Sequence, residues 1–119
     1  MKKVLIVDDE PNIIMSLEFL MKKNGYEVFI ARDGAEALVI VDQEEPDIVV
    51  LDIMMPQVDG YEVCSYIKNK KQPGAKVIFL SAKGKEKDVL KGYESGADFY
   101  MTKPFSTKKL VDKVNELAG

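Results

Sequence analysis

Apolar residues along this chain follow two rhythms. Short unbroken runs, Val4-Leu5-Ile6-Val7, Ile48-Val49-Val50-Leu51 and Val77-Ile78-Phe79-Leu80, read as strands buried on both faces, as in the interior of a parallel sheet. Between them apolar residues recur at three- and four-residue steps, the spacing of one helix face. Ile13, Ile14, Leu17, Leu20 and Met21 predict a helix that begins at Pro11, with Asp9 or Glu10 near its positive end, and stops at Asn24-Gly25. Val28–Ala31 reads as strand again. Asp33-Gly34 opens a second helix carrying Ala37, Leu38 and Val41, which Pro46 ends. A third, with Val63, Cys64 and Ile67, lies between Asp59-Gly60 and Gln72-Pro73-Gly74. Val89, Leu90 and Tyr93 mark a fourth that stops at Gly96, followed by a short strand at Phe99–Met101. Ser106 caps a last helix lined by Leu110, Val111, Val114 and Leu117.

Five strands alternating with five helices predict an α/β fold: a doubly wound, five-stranded parallel sheet in a three-layer sandwich with right-handed crossovers. The chain has 119 residues, enough for one such core. No linker, repeat or low-complexity stretch divides it, so residues 1–119 are expected to form one domain.

Composition then narrows the function. A net charge of −3 argues against a nucleic-acid-binding module. The lysines near 68–71, 83–87 and 108–109 sit beside acidic or polar residues and read as solvated helix ends and loops. The opening Met1-Lys2-Lys3 and its apolar run imitate a signal peptide, but Asp8-Asp9-Glu10 cuts the run short. No stretch reaches membrane-spanning length. Cys64 is the only cysteine, which excludes an internal disulfide and points to the reducing cytoplasm. The chain has no histidine. That removes His-based acid–base catalysis, His metal sites and Ser–His or Cys–His nucleophile pairs. A metal here must be held by oxygen.

The chemistry is concentrated at strand ends. Asp8 and Asp9 follow the first strand, Asp52 the third, Ser81 the fourth and Lys103 the fifth. In a parallel sheet these ends share one rim, where open α/β sheets bind their ligands. If the strands are ordered 2-1-3-4-5, Asp8, Asp9 and Asp52 converge at the topological switch point. Three such carboxylates repel one another, and Mg²⁺, a hard cation that takes a few carboxylates and keeps several waters, would relieve that. Lys103 adds a fixed positive charge and Ser81 a hydroxyl. Together these are the parts of a phosphoryl-transfer site, in which an Asp can itself be the acceptor, as an acyl phosphate. Structural roles compete with this reading. Asp8-Asp9 could serve as N-cap chemistry for the Pro11 helix, Ser81 as a plain strand-end hydroxyl, and Tyr100 as half-buried packing. Cys64 reads as inert core.

Val7-Asp8-Asp9-Glu10-Pro11, Leu51-Asp52-Ile53-Met54-Met55-Pro56 with Asp59-Gly60, Ser81-Ala82, and Gly96-Ala97-Asp98 leading to Lys103-Pro104-Phe105 all occur in order at strand ends. In these marks the chain resembles the receiver domain of two-component response regulators, over essentially its whole length. The resemblance implies the flavodoxin-like (βα)5 fold with strand order 2-1-3-4-5. It implies that Asp52 accepts a phosphoryl group from a histidine on a sensor histidine kinase or a His-containing phosphotransfer protein. Asp8, Asp9, Asp52 and the backbone carbonyl of Met54 would hold Mg²⁺. Lys103 would pair with the phosphoryl oxygens and Ser81 would bond one of them in the active state. Tyr100 matches an aromatic switch that turns inward when Ser81 moves toward the phosphate, and the Lys103-Pro104 peptide is implied to be cis.

Further expectations follow from the resemblance. The chain is expected not to be an enzyme, catalysing only its own phosphorylation and dephosphorylation. The surface near the fourth helix, fifth strand and fifth helix would switch to control an output domain or target protein, without direct contact to nucleic acid or membrane. A monomer is expected, with dimerisation on phosphorylation left open. Met54 and Lys83 occupy positions that help set the lifetime of the phosphoryl group, and an apolar cover with a nearby ammonium points to a long-lived adduct. Phe99, where an acid often stands, reads as packing. An Mg²⁺-dependent phosphatase with an Asp nucleophile is an alternative, disfavoured because Met54 stands where such enzymes carry a second acid. A receiver-shaped module that never meets phosphate is another, disfavoured by the intact acidic set. The kinase, pathway and output are not legible. A stand-alone regulator, a phosphorelay intermediate and the receiver part of a longer regulator all stay open.

Overall fold

The structure, a computed structural model, describes residues 1–53, 58–69, 74–82 and 84–119. Its elements are β1 (Lys3–Val7), α1 (Pro11–Lys23), β2 (Glu27–Ala31), α2 (Gly34–Glu44), β3 (Ile48–Leu51), α3 (Gly60–Lys68), β4 (Lys76–Ser81), α4 (Glu86–Glu94), β5 (Phe99–Thr102) and α5 (Thr107–Ala118). The strands form one sheet in the order β2-β1-β3-β4-β5, all parallel. This is the doubly wound three-layer fold predicted from the apolar rhythm.

Period-two alternation divides the strands between two cores. Val4, Ile6, Ile48, Val50, Ile78 and Leu80 meet Leu17 and Met21 of α1 and Leu110 and Val114 of α5 on one face. Leu5, Val7, Val49, Leu51, Val77 and Phe79 meet α2 and α3 on the other. Each fully buried aliphatic or aromatic side chain contributes about 1.5–3 kcal/mol of transfer free energy. A one-residue slip of a central strand would exchange its two sets, so the register is firmly specified.

That register places the site. Val7 stands opposite Leu51, so the next residues, Asp8 and Asp52, leave the sheet side by side. The ladder reaches one step further, with the Asp52 amide donating to the Val7 carbonyl at 2.9 Å. Across the sheet Ser81 pairs with Thr102, and the Lys103 amide donates to the Ser81 carbonyl at 2.8 Å. The peptide between Lys103 and Pro104 is cis, as the resemblance implied.

The helix boundaries follow local chemistry, with three differences from expectation. Asp33, Asp59 and Ser106 cap α2, α3 and α5, accepting from the amides of Glu36, Glu62 and Lys109. Glu45, at φ 48°, closes α2 ahead of Pro46, since a residue before proline is pushed out of the helical region. At α1, however, the cap position is Glu10, whose side chain makes no capping bond; the carboxylate of Asp8 accepts the Glu10 amide at 2.9 Å instead. In α4 the apolar stripe does not face the core: Leu90 and Tyr93 are 58% and 42% exposed, and Gly92 is the residue buried. Gly92 and Val89, three apart, turn toward the sheet, which rotates Leu90 and Tyr93 outward. α3 ends at Lys68 with Asn69 as its C-cap, so Gln72-Pro73, expected to stop it, lie outside the described residues. Among the described residues no helix is long and apolar enough to cross a membrane.

Candidate functional site

Three polar side chains are buried among the described residues: Asp8, Asp52 and Ser81. All three stand at the carboxyl rim of the sheet, at the ends of β1, β3 and β4. Burial of a carboxylate is costly unless it is paired or coordinated, so their collection at one rim calls for a partner of opposite charge. Part of that partner is Lys103, whose ammonium lies 3.1 Å from Asp8 Oδ2 and 3.8 Å from Asp52 Oδ2. The three side chains are only 18%, 3% and 11% exposed, in the order Lys103, Asp8, Asp52.

Asp9 joins them from the exposed side. One carboxylate oxygen from each of Asp8, Asp9 and Asp52 lies within 4.8 Å of the others. Opposite vertices of an Mg²⁺ octahedron are about 4.2 Å apart at ordinary Mg–O distances, so the set is of the right size as well as the right chemistry for a hard cation. Three carboxylates beside the ammonium of Lys103, the cation that the described residues bring to them, leave room for the further positive charge that such an ion would supply. The expectation that Asp8-Asp9 might serve only to cap α1 finds a partial counterpart. Asp8 Oδ1 does bond the Glu10 amide, while its Oδ2 meets Lys103. Asp8 is thereby held in one orientation from both sides.

The family model for the response regulator receiver domain matches residues 4–115. The chain belongs to that family. Solved structures agree with it along nearly the full length. The receiver domain of Francisella response regulator 1452 is 36% identical, with TM-score 0.91, covering 99% of this chain and 97% of that one. The BeF3-activated DrrB receiver domain is 38% identical, with TM-score 0.90, covering 98% and 97%. The receiver domain of a signal transduction histidine kinase from Syntrophus aciditrophicus is 31% identical, with TM-score 0.91, covering 99% and 90%. This receiver domain is thus a member of the phosphoacceptor family of two-component signalling.

The remaining site residues of the receiver domain fall in two groups. Tyr100 is buried, its ring 5.9 Å from that of Phe79 and its hydroxyl paired with the Ser81 side chain. Burial pushes the Tyr100 phenol above its ordinary value, and the charges of Asp88 and Asp52 add to this, while the bond to Ser81 opposes it. Ser81, Tyr100 and Phe79 therefore form one contact set, leading from the rim into the α4 side of the core. Met54 and Lys83, expected at the metal and over the phosphoryl group, lie outside the described residues. Phe99 is half-buried under the Lys113 ammonium, 4.5 Å from the ring centroid, and in the α1–α5 core; it packs, as expected.

Two glycines belong to the site, and sequence pattern alone did not mark them for it. A Cβ at Gly60 would lie 2.5 Å from the Asp52 carbonyl oxygen, so only glycine lets α3 start against the loop that carries Asp52. Gly92 faces the ring of Tyr100. Its signal in the sequence is a glycine inside a helical pattern, which commonly has a packing reason.

Proposed function

We propose that Asp52 is the phosphoacceptor of this receiver domain, with Asp8 and Asp9 as metal ligands and Lys103 as the cation that neutralises the incoming phosphoryl group. The observation that carries this is the Lys103 ammonium lying between two buried carboxylates, 3.1 Å from Asp8 and 3.8 Å from Asp52. Asp8 is engaged at both oxygens, by the Glu10 amide and by Lys103, and Asp9 is exposed. Asp52 stands at the end of the central strand β3, and in this reading it is the nucleophile.

In the transfer an Asp52 oxygen approaches the phosphorus of a partner's phosphohistidine in line with the P–N bond. The P–O bond forms as the P–N bond breaks, and the imidazole leaves with the electron pair and takes up a proton. Lys103 turns its ammonium from the carboxylates to the phosphoryl oxygens, where new negative charge gathers. The Ser81 hydroxyl donates to a phosphoryl oxygen, and Tyr100, already inward beside Phe79, is held there. Asp8, Asp9, Asp52 and the carbonyl of Met54 would hold Mg²⁺, which would supply further charge neutralisation when bound. These 119 residues hold no histidine, so the donor histidine lies outside them.

A groove of about 460 Å³ lined by Ile13, Ser16, Lys103, Pro104, Phe105 and Thr107 supports an approach of the donor from this side. Beside it on α1, Met15 and Phe19 are 68% and 69% exposed. An amphipathic helix of a sensor histidine kinase or His-containing phosphotransfer protein, laid across α1 and the β5–α5 loop, would cover these side chains and present its histidine to Asp52. The remaining parts of the proposal are a single domain over residues 1–119, a cytoplasmic location, and an output read from the α4–β5–α5 surface. Met54 and Lys83 are proposed to prolong the phosphoryl lifetime, and self-dephosphorylation is the only turnover.

Incubation with a small acyl phosphate and Mg²⁺, followed by intact mass, tests the reading. A single phosphoryl adduct that decays slowly is expected. Continuous phosphate release would instead mean a phosphatase, and no change an inert module.

A further inference from the structure

α4 rests on the sheet through few atoms. Of its nine residues only Gly92 is buried, Val89 is half-buried against the core, and the Lys91 ammonium lies 4.4 Å from the Tyr61 ring centroid. A glycine inside a helix lowers helix stability relative to alanine, so its presence at the one buried position calls for a steric reason. That reason is the ring of Tyr100. A Cβ at position 92 would lie 2.7 Å from Cδ2 and 3.0 Å from Cε2 of Tyr100, and 3.3 Å from Cδ2 of Phe79. Ordinary carbon contacts are about 3.5–4.0 Å. The atoms met are ring carbons, and the Tyr100 ring is backed by Phe79 at 5.9 Å, itself backed by Tyr61 at 5.7 Å. The ring has no slack on that side.

We infer that Gly92 is a gate residue for Tyr100: the notch it leaves in α4 admits the ring to the inward position beside Phe79 and Ser81. Residue 92 thereby sets the balance between inward and outward Tyr100. The inference rests on the proposed switching role of Tyr100 and names the residue that regulates it. A methyl group at 92 leaves two escapes. Either Tyr100 swings out past α4, or α4 lifts from the sheet and loses the Val89 contact and the Lys91–Tyr61 pair. Both alter the face on which Leu90 and Tyr93 are exposed, so the gate acts directly on the surface proposed for output.

The test uses protein with ¹³C-labelled tyrosine and phenylalanine rings, in Mg²⁺ with and without beryllofluoride as the phosphoryl mimic. The Tyr100 ring signals are identified by their loss in Tyr100→Phe. In wild type with beryllofluoride, a Tyr100–Phe79 ring cross-peak is expected, and Gly92→Ala should reduce it about tenfold, the signature of a shifted two-state population. Equal intensity in the two proteins would overturn the gate. Thermal melting gives a second, independent measurement should Gly92→Ala fold poorly. In a Tyr100→Ala background the ring that the methyl group would strike is gone and only Phe79 borders the notch, so Gly92→Ala should raise the melting temperature by roughly 3 °C through helix preference. In the wild-type background it should fail to raise it. The same rise in both would again overturn the proposal. The melting measurement needs no beryllofluoride and is read without reference to chemistry at Asp52. A failed gate therefore leaves the phosphoacceptor reading standing, and an unlabelled Asp52 leaves the gate standing.

Discussion

The two rims of the sheet use acidic residues in opposite ways. At the amino rim Asp47 and Asp98 hold the chain together. Asp47 accepts the Lys3 amide at 2.8 Å. Asp98 accepts both the Val77 amide at 2.8 Å and the Lys68 ammonium at 2.7 Å, and Lys68 also donates to the Ala75 carbonyl. At the carboxyl rim Asp8, Asp9 and Asp52 crowd within 4.8 Å, and among the described residues the ammonium they share is that of Lys103, which meets Asp8 and Asp52. One rim saturates its charges and gains stability. The other keeps an excess of negative charge at a stability cost, and that excess is what a metal ion and a phosphoryl group can use. Substitutions should therefore have opposite signs at the two rims.

The largest effect is expected at the amino rim. Asp98→Ala leaves the buried Val77 amide and a half-buried Lys68 without their shared acceptor, and should lower stability in urea by about 2–3 kcal/mol. A loss below about 0.5 kcal/mol would erase the distinction between the rims. Next, Mg²⁺ should stabilise the wild type, by about 1.4 kcal/mol at ten times its dissociation constant. Asp9→Ala should need substantially more metal for the same shift in melting. Identical titrations would place the metal elsewhere. Third, Asp52→Asn in metal-free buffer removes one of three repelling charges and should raise stability by about 1 kcal/mol, a gain that added salt diminishes. A clear destabilisation would mean the carboxyl rim is structural after all.

The smallest effect concerns Tyr100, whose phenol is pushed up first by burial. The folded value lies above the unfolded one of about 10. Its contribution to stability is therefore fully present below that pH and is lost as pH rises through the folded value. Tyr100→Phe should flatten the alkaline fall in stability, measured by urea midpoints on either side of that range. An unchanged slope would place the tyrosine in water.

Much of this architecture is legible in the sequence because it depends on local pattern. Runs such as Val77–Leu80 and stripes such as Leu110 with Val114 predict strands and helices. Polar residues at strand ends must share a rim once the strands are parallel, so the pattern alone gathers Asp8, Asp52, Ser81 and Lys103. The strand order that makes Asp8 and Asp52 neighbours comes from resemblance. Relations across the sheet are what local pattern does not carry. Gly92 and Gly60 matter because of what lies opposite them, Tyr100 in one case and the Asp52 carbonyl in the other, and no helical spacing reveals that. That Leu90 and Tyr93 face outward is hidden from the sequence for the same reason. Near a buried glycine, hydrophobicity does not choose the inner face; close approach of backbones does.

The central claim is that the excess charge at the carboxyl rim is used through one atom group, the Asp52 carboxylate. Borohydride reduction of the acyl phosphate formed with a small phosphodonor and Mg²⁺, followed by peptide mapping, tests it directly. Reduction should leave homoserine at position 52, with Asp8 and Asp9 intact and no homoserine in Asp52→Asn. Homoserine at position 8 or 9, or the same product from Asp52→Asn, would contradict it.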